Sequence, residues 1–227
     1  MSPFVSVVIH SYNRYDFLQN ALKSVYEQTF QDFEIILIND ESTDERYYKN
    51  NFGDKVKQID IRRNKNPRWT GSRQALINVG LEEASGKYVA LLDDDDIWLK
   101  NKLETQIGVM EDNYFQFSST EGFFGLGKFN QEEKYKLYNA EYFNKVLRKK
   151  YRWTKYLKNG KLPKIWNEEF LKVHNCVIKS SAVIEKDLLK TVGGFRGIPS
   201  KSDYDCWLNI IKLTNLIYID EPLFYYD

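Results

Sequence analysis

The stretch of this sequence best suited to chemistry is a run of aspartates, Asp93, Asp94, Asp95 and Asp96, directly after the apolar segment YVALL. Adjacent carboxylates repel one another and are costly beside an apolar strand unless water or a cation neutralises them. Their hard oxygen donors suit Mg²⁺ or Mn²⁺ and disfavour structural zinc, and such an ion would offset the charge of a diphosphate. The alternative is an acidic helix-capping loop that binds nothing.

Polar residues also follow two earlier apolar segments. His10, Tyr12 and Asn13 come after VSVVI, and Asp40 comes after FEIILIN. In an open α/β sheet, ligands bind outside the carboxyl ends of the strands, where loops and helix N-termini converge. The sequence therefore predicts that these residues and the aspartate run line one crevice.

The elements that must position these residues alternate between strand and helix over residues 1–112. Strands are expected at 5–9, 33–38, 56–61 and 88–92, and helices near 16–25, 70–84 and 99–110, with a short helix that opens at 42–44. This alternation predicts an α/β fold with a mostly parallel, Rossmann-like sheet covered by helices.

The second half of the chain is less regular. Strand signals are weak from 113 to 170, and we expect an inserted lobe at about 120–170. A strand is expected at 173–178, which would contain His174 and Cys176 as packed core, and a final strand at 216–219. Helices are expected at about 185–192 and 202–213.

Composition excludes several classes of protein. The chain has 227 residues, a net charge of +1 and two cysteines, which predicts one large domain without a disulfide framework. The near-neutral charge argues against a nucleic-acid partner. We found no apolar run of membrane-spanning length and no signal-peptide pattern, and we expect a cytoplasmic protein.

The inserted lobe is basic and aromatic. Residues 134–164 contain eleven Lys or Arg and one acid, Glu141, and apolar side chains recur there at helical spacing. A solvated helix with one buried stripe is one interpretation. Peripheral contact with a membrane surface, or with an acidic or lipid-linked acceptor, is another.

The motifs together resemble the inverting family 2 glycosyltransferases, which have the GT-A fold. The resemblance is dense over residues 4–112 and loose over 173–226, and the opening is most similar to the spore-coat polysaccharide branch of that family. The matching segments are VSVVIHSYNR, SVYEQTF, FEIILINDESTD, ASGKYVALLDDDDIW and SDYDCWL.

The resemblance implies a nucleotide-sugar donor site in residues 1–112, with the acceptor side formed by 113–227. The main chain of His10 and the ring of Tyr12 would hold the base. Asp40 would accept a hydrogen bond from a ring N–H of the base, and Arg73 would approach the nucleotide from the following helix.

The aspartate run corresponds to the DXD signature of the family. The resemblance implies Asp95, with Asp93, as ligands of Mn²⁺ or Mg²⁺, and Asp94 or Asp93 near the ribose. Asp203 matches the expected general base, which would take the proton of an acceptor hydroxyl. Ser202 stands where the family has Glu, and Ile77 stands where many members have Arg.

The resulting hypothesis is a metal-dependent inverting transferase that moves a sugar from a nucleoside-diphosphate donor, UDP-linked, to a carbohydrate or lipid-linked acceptor. Two other classes remain open. A sugar-phosphate nucleotidyltransferase also uses Mg²⁺ and such a sheet, although the segment HSYNR lacks the expected glycines. A non-catalytic nucleotide- or carbohydrate-binding module would bind the donor without turnover.

Overall fold

The computed structural model describes residues 2–62, 76–198 and 201–227. The strands within these ranges are β1 (Val5–Ser11), β2 (Phe33–Asn39), β3 (Val56–Asp60), β4 (Tyr88–Asp93), β5 (Ile97–Trp98), β6 (Phe117–Phe124), β7 (Lys136–Leu137), β8 (Ile165–Trp166), β9 (Val183–Glu185) and β10 (Leu216–Tyr226). The helices are α1 (Tyr15–Tyr26), α2 (Arg46–Lys49), α3 (Ile77–Glu83), α4 (Lys102–Asn113), α5 (Asn144–Tyr151), α6 (Glu168–Leu171), α7 (Lys186–Thr191) and α8 (Ser202–Ile210). A π-helical turn spans Tyr138–Tyr142, and a 3₁₀ turn spans Lys179–Ser181.

The described strands form one sheet in the order β3-β2-β1-β4-β9-β6-β10-β5, with β7 beside β6 and β8 beside β10. Strands β3, β2, β1 and β4 are parallel, as the alternating pattern predicts. Strand β9 runs antiparallel to both of its neighbours, β4 and β6. The sheet is therefore mixed, and its parallel half carries the predicted site residues.

Helices cover both faces of the sheet because successive side chains of its strands point to opposite sides. Val7 and Ile9 pack with the apolar faces of α1 and α4, whereas Val8 packs on the opposite face with α3 and α8. Burying each such side chain contributes about 1.5–3 kcal/mol. Helices thus pack on both faces of the sheet, and this packing holds the ends of the strands in place.

Two expectations for the second half are wrong. Residues 173–178 are not a strand: the amide of Val177 donates to the side chain of Asn175 at 3.2 Å, a local bond that replaces a ladder bond. We also expected few strands between 113 and 170, but β6 lies in the middle of the sheet. The final strand extends beyond 216–219, to Tyr226.

Strand β6 escaped notice because most of its buried residues are polar. Ser119 bonds to Ser181 at 2.7 Å, and the carboxylate of Glu121 accepts from the amides of Asn139 and Ala140 at 2.9 and 3.0 Å. These partners compensate the polar groups for lost water. Of the helix expected at 70–84, α3 is the described part, and residues 63–75 lie outside the described ranges.

Candidate active site

The carboxyl ends of β2, β1 and β4 lie side by side. His10 pairs with Ile38 on one side and with Asp93 on the other, so the residues after each strand meet at one edge. They border a cleft of about 290 Å³. The cleft is lined by His10, Tyr12, Arg14, Asp93, Asp94, Asp95, Lys179, Tyr226 and Asp227.

Asp40 lies deeper than the cleft lining. Its side chain is fully buried at the end of β2, and its Oδ2 lies 3.5 Å from Nε2 of His10. The amide of Asp40 donates to the carbonyl of Ser11 at 3.0 Å, which ties the ends of β1 and β2 together. His10 therefore lies beside Asp40 and lines the cleft, whereas Asp40 is not part of the cleft lining.

The aspartate run divides into two buried carboxylates, Asp94 and Asp96, and two that are partly exposed. Asp96 is fully buried and accepts from the hydroxyl of Ser180 and, at 3.2 Å, from the amide of Asp227. Asp94 is 8% exposed and accepts from the hydroxyl of Ser11 at 2.7 Å. Burial raises the pKa of both carboxyls. These two aspartates anchor the turn.

Asp93 and Asp95 are the exposed pair, with 29% and 28% of their side chains accessible. Asp93 is paired with the ammonium of Lys179, and Asp95 with the guanidinium of Arg14. Arg14 also reaches Asp94 at 3.3 Å. Burial, and then the charge of Asp93, raise the pKa of Asp95. Crowding of carboxylates is thus relieved by two cations.

The donor set fits a hard divalent cation. Two partly exposed carboxylates, Asp93 and Asp95, suffice for Mg²⁺ or Mn²⁺ when phosphate oxygens and water complete the shell. No cluster of three or more His, Cys, Asp or Glu side chains suited to a metal occurs in residues 2–62, 76–198 and 201–227. The protein alone therefore offers an incomplete shell.

Asp203 belongs to the first turn of α8 but is not its capping residue, which is Lys201. Its Oδ2 lies 3.5 Å from the side-chain amide of Asn175, and its charge acts on Lys179. The neighbouring Asp205 is bound by Arg196 through two hydrogen bonds. Asp203 is thus the less engaged carboxylate of this turn, and it does not line the cleft directly.

Sequence reasoning did not single out three residues that line the cleft, Arg14, Lys179 and Asp227. The four adjacent carboxylates were themselves a signal that cations should lie nearby. Lys179 gave none, because it follows a segment that the pattern assigns to a strand. Arg73 lies outside the described residues.

A parallel sheet with an acidic, cation-paired cleft at its carboxyl edge is the architecture of a nucleotide-binding α/β enzyme. The sequence model described as "Glycosyl transferase family 2" matches residues 6–188, so the chain belongs to that family. The match confirms the resemblance and the GT-A fold expected from it.

Relatives with curated names match part of the chain. An uncharacterized glycosyltransferase of Rickettsia bellii is 40% identical over 131 residues, 58% of this chain and 18% of the relative. The Escherichia coli protein WfgD, named as a UDP-Glc:alpha-D-GlcNAc-diphosphoundecaprenol beta-1,3-glucosyltransferase, is 34% identical over 114 residues, 50% of this chain and 43% of the relative. The chain thus matches less than half of either relative's length.

Solved structures share the fold over nearly the whole chain. S. aureus TarS 1–349 in complex with UDP-GlcNAc has a TM-score of 0.68 at 17% identity, covering 98% of this chain and 58% of TarS 1–349. The mannosyltransferase PcManGT of Pyrobaculum calidifontis, with GDP-Man and Mn²⁺, has a TM-score of 0.63 at 18% identity, covering 98% and 55%. At this identity the likeness concerns the fold.

None of the helices in the described ranges is long and apolar enough to cross a membrane.

Proposed function

We propose that this family 2 domain transfers a sugar from a nucleoside-diphosphate sugar, UDP-linked, to an acceptor hydroxyl with inversion at the anomeric carbon. The observation that carries the proposal is the pair of cleft-facing carboxylates, Asp93 and Asp95, at the carboxyl edge of the parallel strands. The names of WfgD and of the TarS and PcManGT complexes support a nucleotide-sugar donor.

Asp93 and Asp95 would hold Mn²⁺ or Mg²⁺, which supplies positive charge to the leaving diphosphate. Tyr12 and the main chain of His10 would hold the base. Asp40, which lies beside His10, would accept a hydrogen bond from a ring N–H of the base. Asp94 would lie near the ribose. Arg73, named by the resemblance, remains a hypothesis as a nucleotide contact.

Asp203 would act as the general base. The acceptor O–H bond breaks and its proton passes to the carboxylate, while the acceptor oxygen bonds to the anomeric carbon. The bond from that carbon to the phosphate oxygen breaks, and its electron pair leaves with the diphosphate. One displacement inverts the centre, so no carboxylate nucleophile is needed. The 3.5 Å hydrogen bond from the side-chain amide of Asn175 engages one carboxylate oxygen of Asp203. The other oxygen is left to accept the proton.

Calorimetry with UDP and Mn²⁺ tests the donor site. We expect Asp95→Ala to abolish metal-dependent UDP binding without unfolding the chain, because a partly exposed carboxylate is deleted without opening the core. Asp112→Ala, at an exposed position of α4, is the matched control. Unchanged UDP affinity in Asp95→Ala would remove it from the metal site, and equal affinity of wild type for UDP, ADP and GDP would refute base selection by Asp40.

Product analysis separates the other two classes. Release of UDP from a UDP-sugar together with a new glycosidic bond supports the transferase. Release of pyrophosphate from a nucleoside triphosphate and a sugar phosphate would indicate a nucleotidyltransferase. Donor binding without any turnover, across carbohydrate and polyprenyl-diphosphate-linked acceptors, would indicate a binding module.

We further propose that the basic aromatic lobe contacts an anionic membrane surface, where a lipid-linked acceptor would reside. Helix α5 buries Leu147 and Tyr151, whereas Val146 is 39% and Trp153 is 85% exposed. Five exposed cations surround them, and none pairs with a carboxylate among the described residues: Lys145, Arg148, Lys149, Lys150 and Arg152. Clustered cations beside an exposed Trp are typical of interfacial helices.

A further inference from the structure

Lys179 is the lysine of the cleft lining, and it comes from the second half of the chain. Its side chain is 16% exposed, its ammonium is paired with Asp93, and it lines the cleft beside Asp95. Burial disfavours its charge, but the charge of Asp93, the hydrogen bond to it and the charges of Asp96 and Asp203 raise its pKa above the ordinary value. The residue is therefore a mostly buried lysine, paired with Asp93, that faces the cleft.

The backbone that carries Lys179 is fastened to the aspartate run. The next residue, Ser180, donates to Asp96 and accepts from the amide of Asp93 at 2.9 Å. Its carbonyl accepts from the indole of Trp98 at 2.8 Å. Because these three bonds hold the 3₁₀ turn, the ammonium can change partner only by rotation of its own side chain.

A metal ion held by Asp93 would compete with that ammonium, since both would bind the same carboxylate. Arg14, the other cation of the cleft lining, is 52% exposed and keeps a second carboxylate partner in Asp94. Lys179 has Asp93 as its ion-pair partner and the carboxylates of Asp96 and Asp203 around it. If Asp93 turned to a metal, Lys179 would lose its ion-pair partner while still lining the cleft, so its ammonium would be available to a phosphate oxygen.

We propose that Lys179 is a ligand of the donor diphosphate: its ammonium leaves Asp93 when donor and metal arrive and binds a phosphate oxygen on the side of the cleft that faces Asp203. The inference rests on the proposed donor and assigns a residue to it. It also gives Lys179 a second effect, since the same ammonium shields Asp93 from metal in the absence of nucleotide.

The test compares Lys179→Met, which keeps length and removes charge, with Lys179→Arg, which keeps charge. We measure Mn²⁺ alone by electron paramagnetic resonance, and UDP with saturating Mn²⁺ by calorimetry. We expect Lys179→Met to bind Mn²⁺ tighter, by at least about 3-fold, because its internal competitor is gone. We expect the same variant to bind UDP roughly 10-fold to 100-fold more weakly, the loss of one charge-assisted hydrogen bond. Lys179→Arg should retain most of the UDP affinity.

The control is Lys172→Met, which removes an exposed lysine paired with Glu168 at 2.8 Å and should change neither constant. Tighter Mn²⁺ with unchanged UDP affinity would overturn the proposal and leave Lys179 as a counter-ion alone. Should Lys179→Met not fold, Lys179→Gln, with an amide that still donates to Asp93, answers the same question. Wild-type chain that binds no nucleoside diphosphate with Mn²⁺ would refute the donor itself, a result distinct from any difference between variants.

Discussion

At the scale of single residues, the cleft separates carboxylates by their partners. Asp96 and Asp94 are buried and accept from Ser180 and Ser11, so they hold the turn, whereas Asp93 and Asp95 meet cations at the cleft surface. A run of identical residues thus acquires different roles from burial alone. Mutations within the run should accordingly differ in kind: loss of Asp96 affects folding, loss of Asp93 or Asp95 affects binding, and loss of Asp94, which is buried but also lines the cleft, affects both.

For Asp203 we expect the substitution Asp203→Asn to slow transfer by roughly 10²-fold to 10⁴-fold, the usual range for loss of a general base. Melting and UDP binding should stay near wild type, because Asn keeps the shape and the contact with Asn175. Single-turnover transfer assays with thermal melting check this. Asp187→Asn, exposed in the first turn of α7, is the control. Transfer at the control's rate would leave Asp203 with a structural role.

At the scale of elements, the sequence predicted the parallel half and missed the strand that completes it. Alternation of apolar runs and helices sufficed for β1, β2, β3 and β4, since the buried residues of β1, β2 and β4 are mostly apolar. Strand β6 buries Ser118, Ser119, Thr120 and Glu121, a pattern that hydrophobicity cannot separate from a loop. Its partners come from α4 and residues 138–140 and 181, which no local pattern connects.

The residues of the site likewise divide into those that the sequence predicted and those that it missed. His10, Asp40 and the aspartate run followed apolar runs of the same half, and the structure brings them to one edge. Lys179 reaches that edge from a 3₁₀ turn, and its partner Asp93 lies far away in sequence. Pairing of this kind depends on tertiary packing, so the sequence alone could indicate that a cation was needed but not which one.

Helix α4 carries a buried lysine whose pH dependence can be measured. The ammonium of Lys102 bonds to Gln106 and lies 4.2 Å from the ring centroid of Trp98, and burial lowers its pKa well below the ordinary value. As pH rises through the folded pKa, the native state loses this proton while the unfolded chain keeps it until about pH 10.4. Stability therefore rises with pH in that window, by up to about 1.4 kcal/mol per pH unit.

We expect Lys102→Met to remove this contribution, so that its free energy of unfolding increases less with pH than that of wild type. Urea unfolding at several alkaline pH values measures the free energy of unfolding of the variant and of wild type. The difference between the two removes the contribution of the other titrating groups, which both proteins share. Lys172→Met, at an exposed position, should follow the wild-type profile. Parallel curves for Lys102→Met and wild type would mean that the buried lysine is solvated or compensated in the folded chain.

At the scale of the whole molecule, near-neutral net charge conceals an uneven distribution. The total is +1, yet residues 134–164 hold eleven basic residues and one acid. The compensating acids lie elsewhere, four of them in residues 93–96. The molecule therefore has an acidic cleft and a basic lobe, which attract ligands of opposite charge.

The lobe predicts binding to vesicles of phosphatidylglycerol and weak binding to phosphatidylcholine alone, measured by co-sedimentation at low and at physiological salt. Trp153→Ser should reduce binding because the exposed indole would insert at the interface. Leu213→Ser, at another exposed apolar residue in the turn after α8, is the control. Equal sedimentation with both lipids, or equal loss in the control, would refute the membrane contact.

The bond from the amide of Asp227 to Asp96 spans 131 residues, and it has a consequence for the growing chain. At ~5–20 residues per second, a ribosome needs roughly 7–26 s to synthesise that interval. Asp94 already has Ser11 and Arg14, which precede it, whereas Asp96 waits first for Ser180 and then, to the end of the interval, for the amide of Asp227. The carboxyl edge of the nascent sheet thus has all four carboxylates before either partner of Asp96 is made.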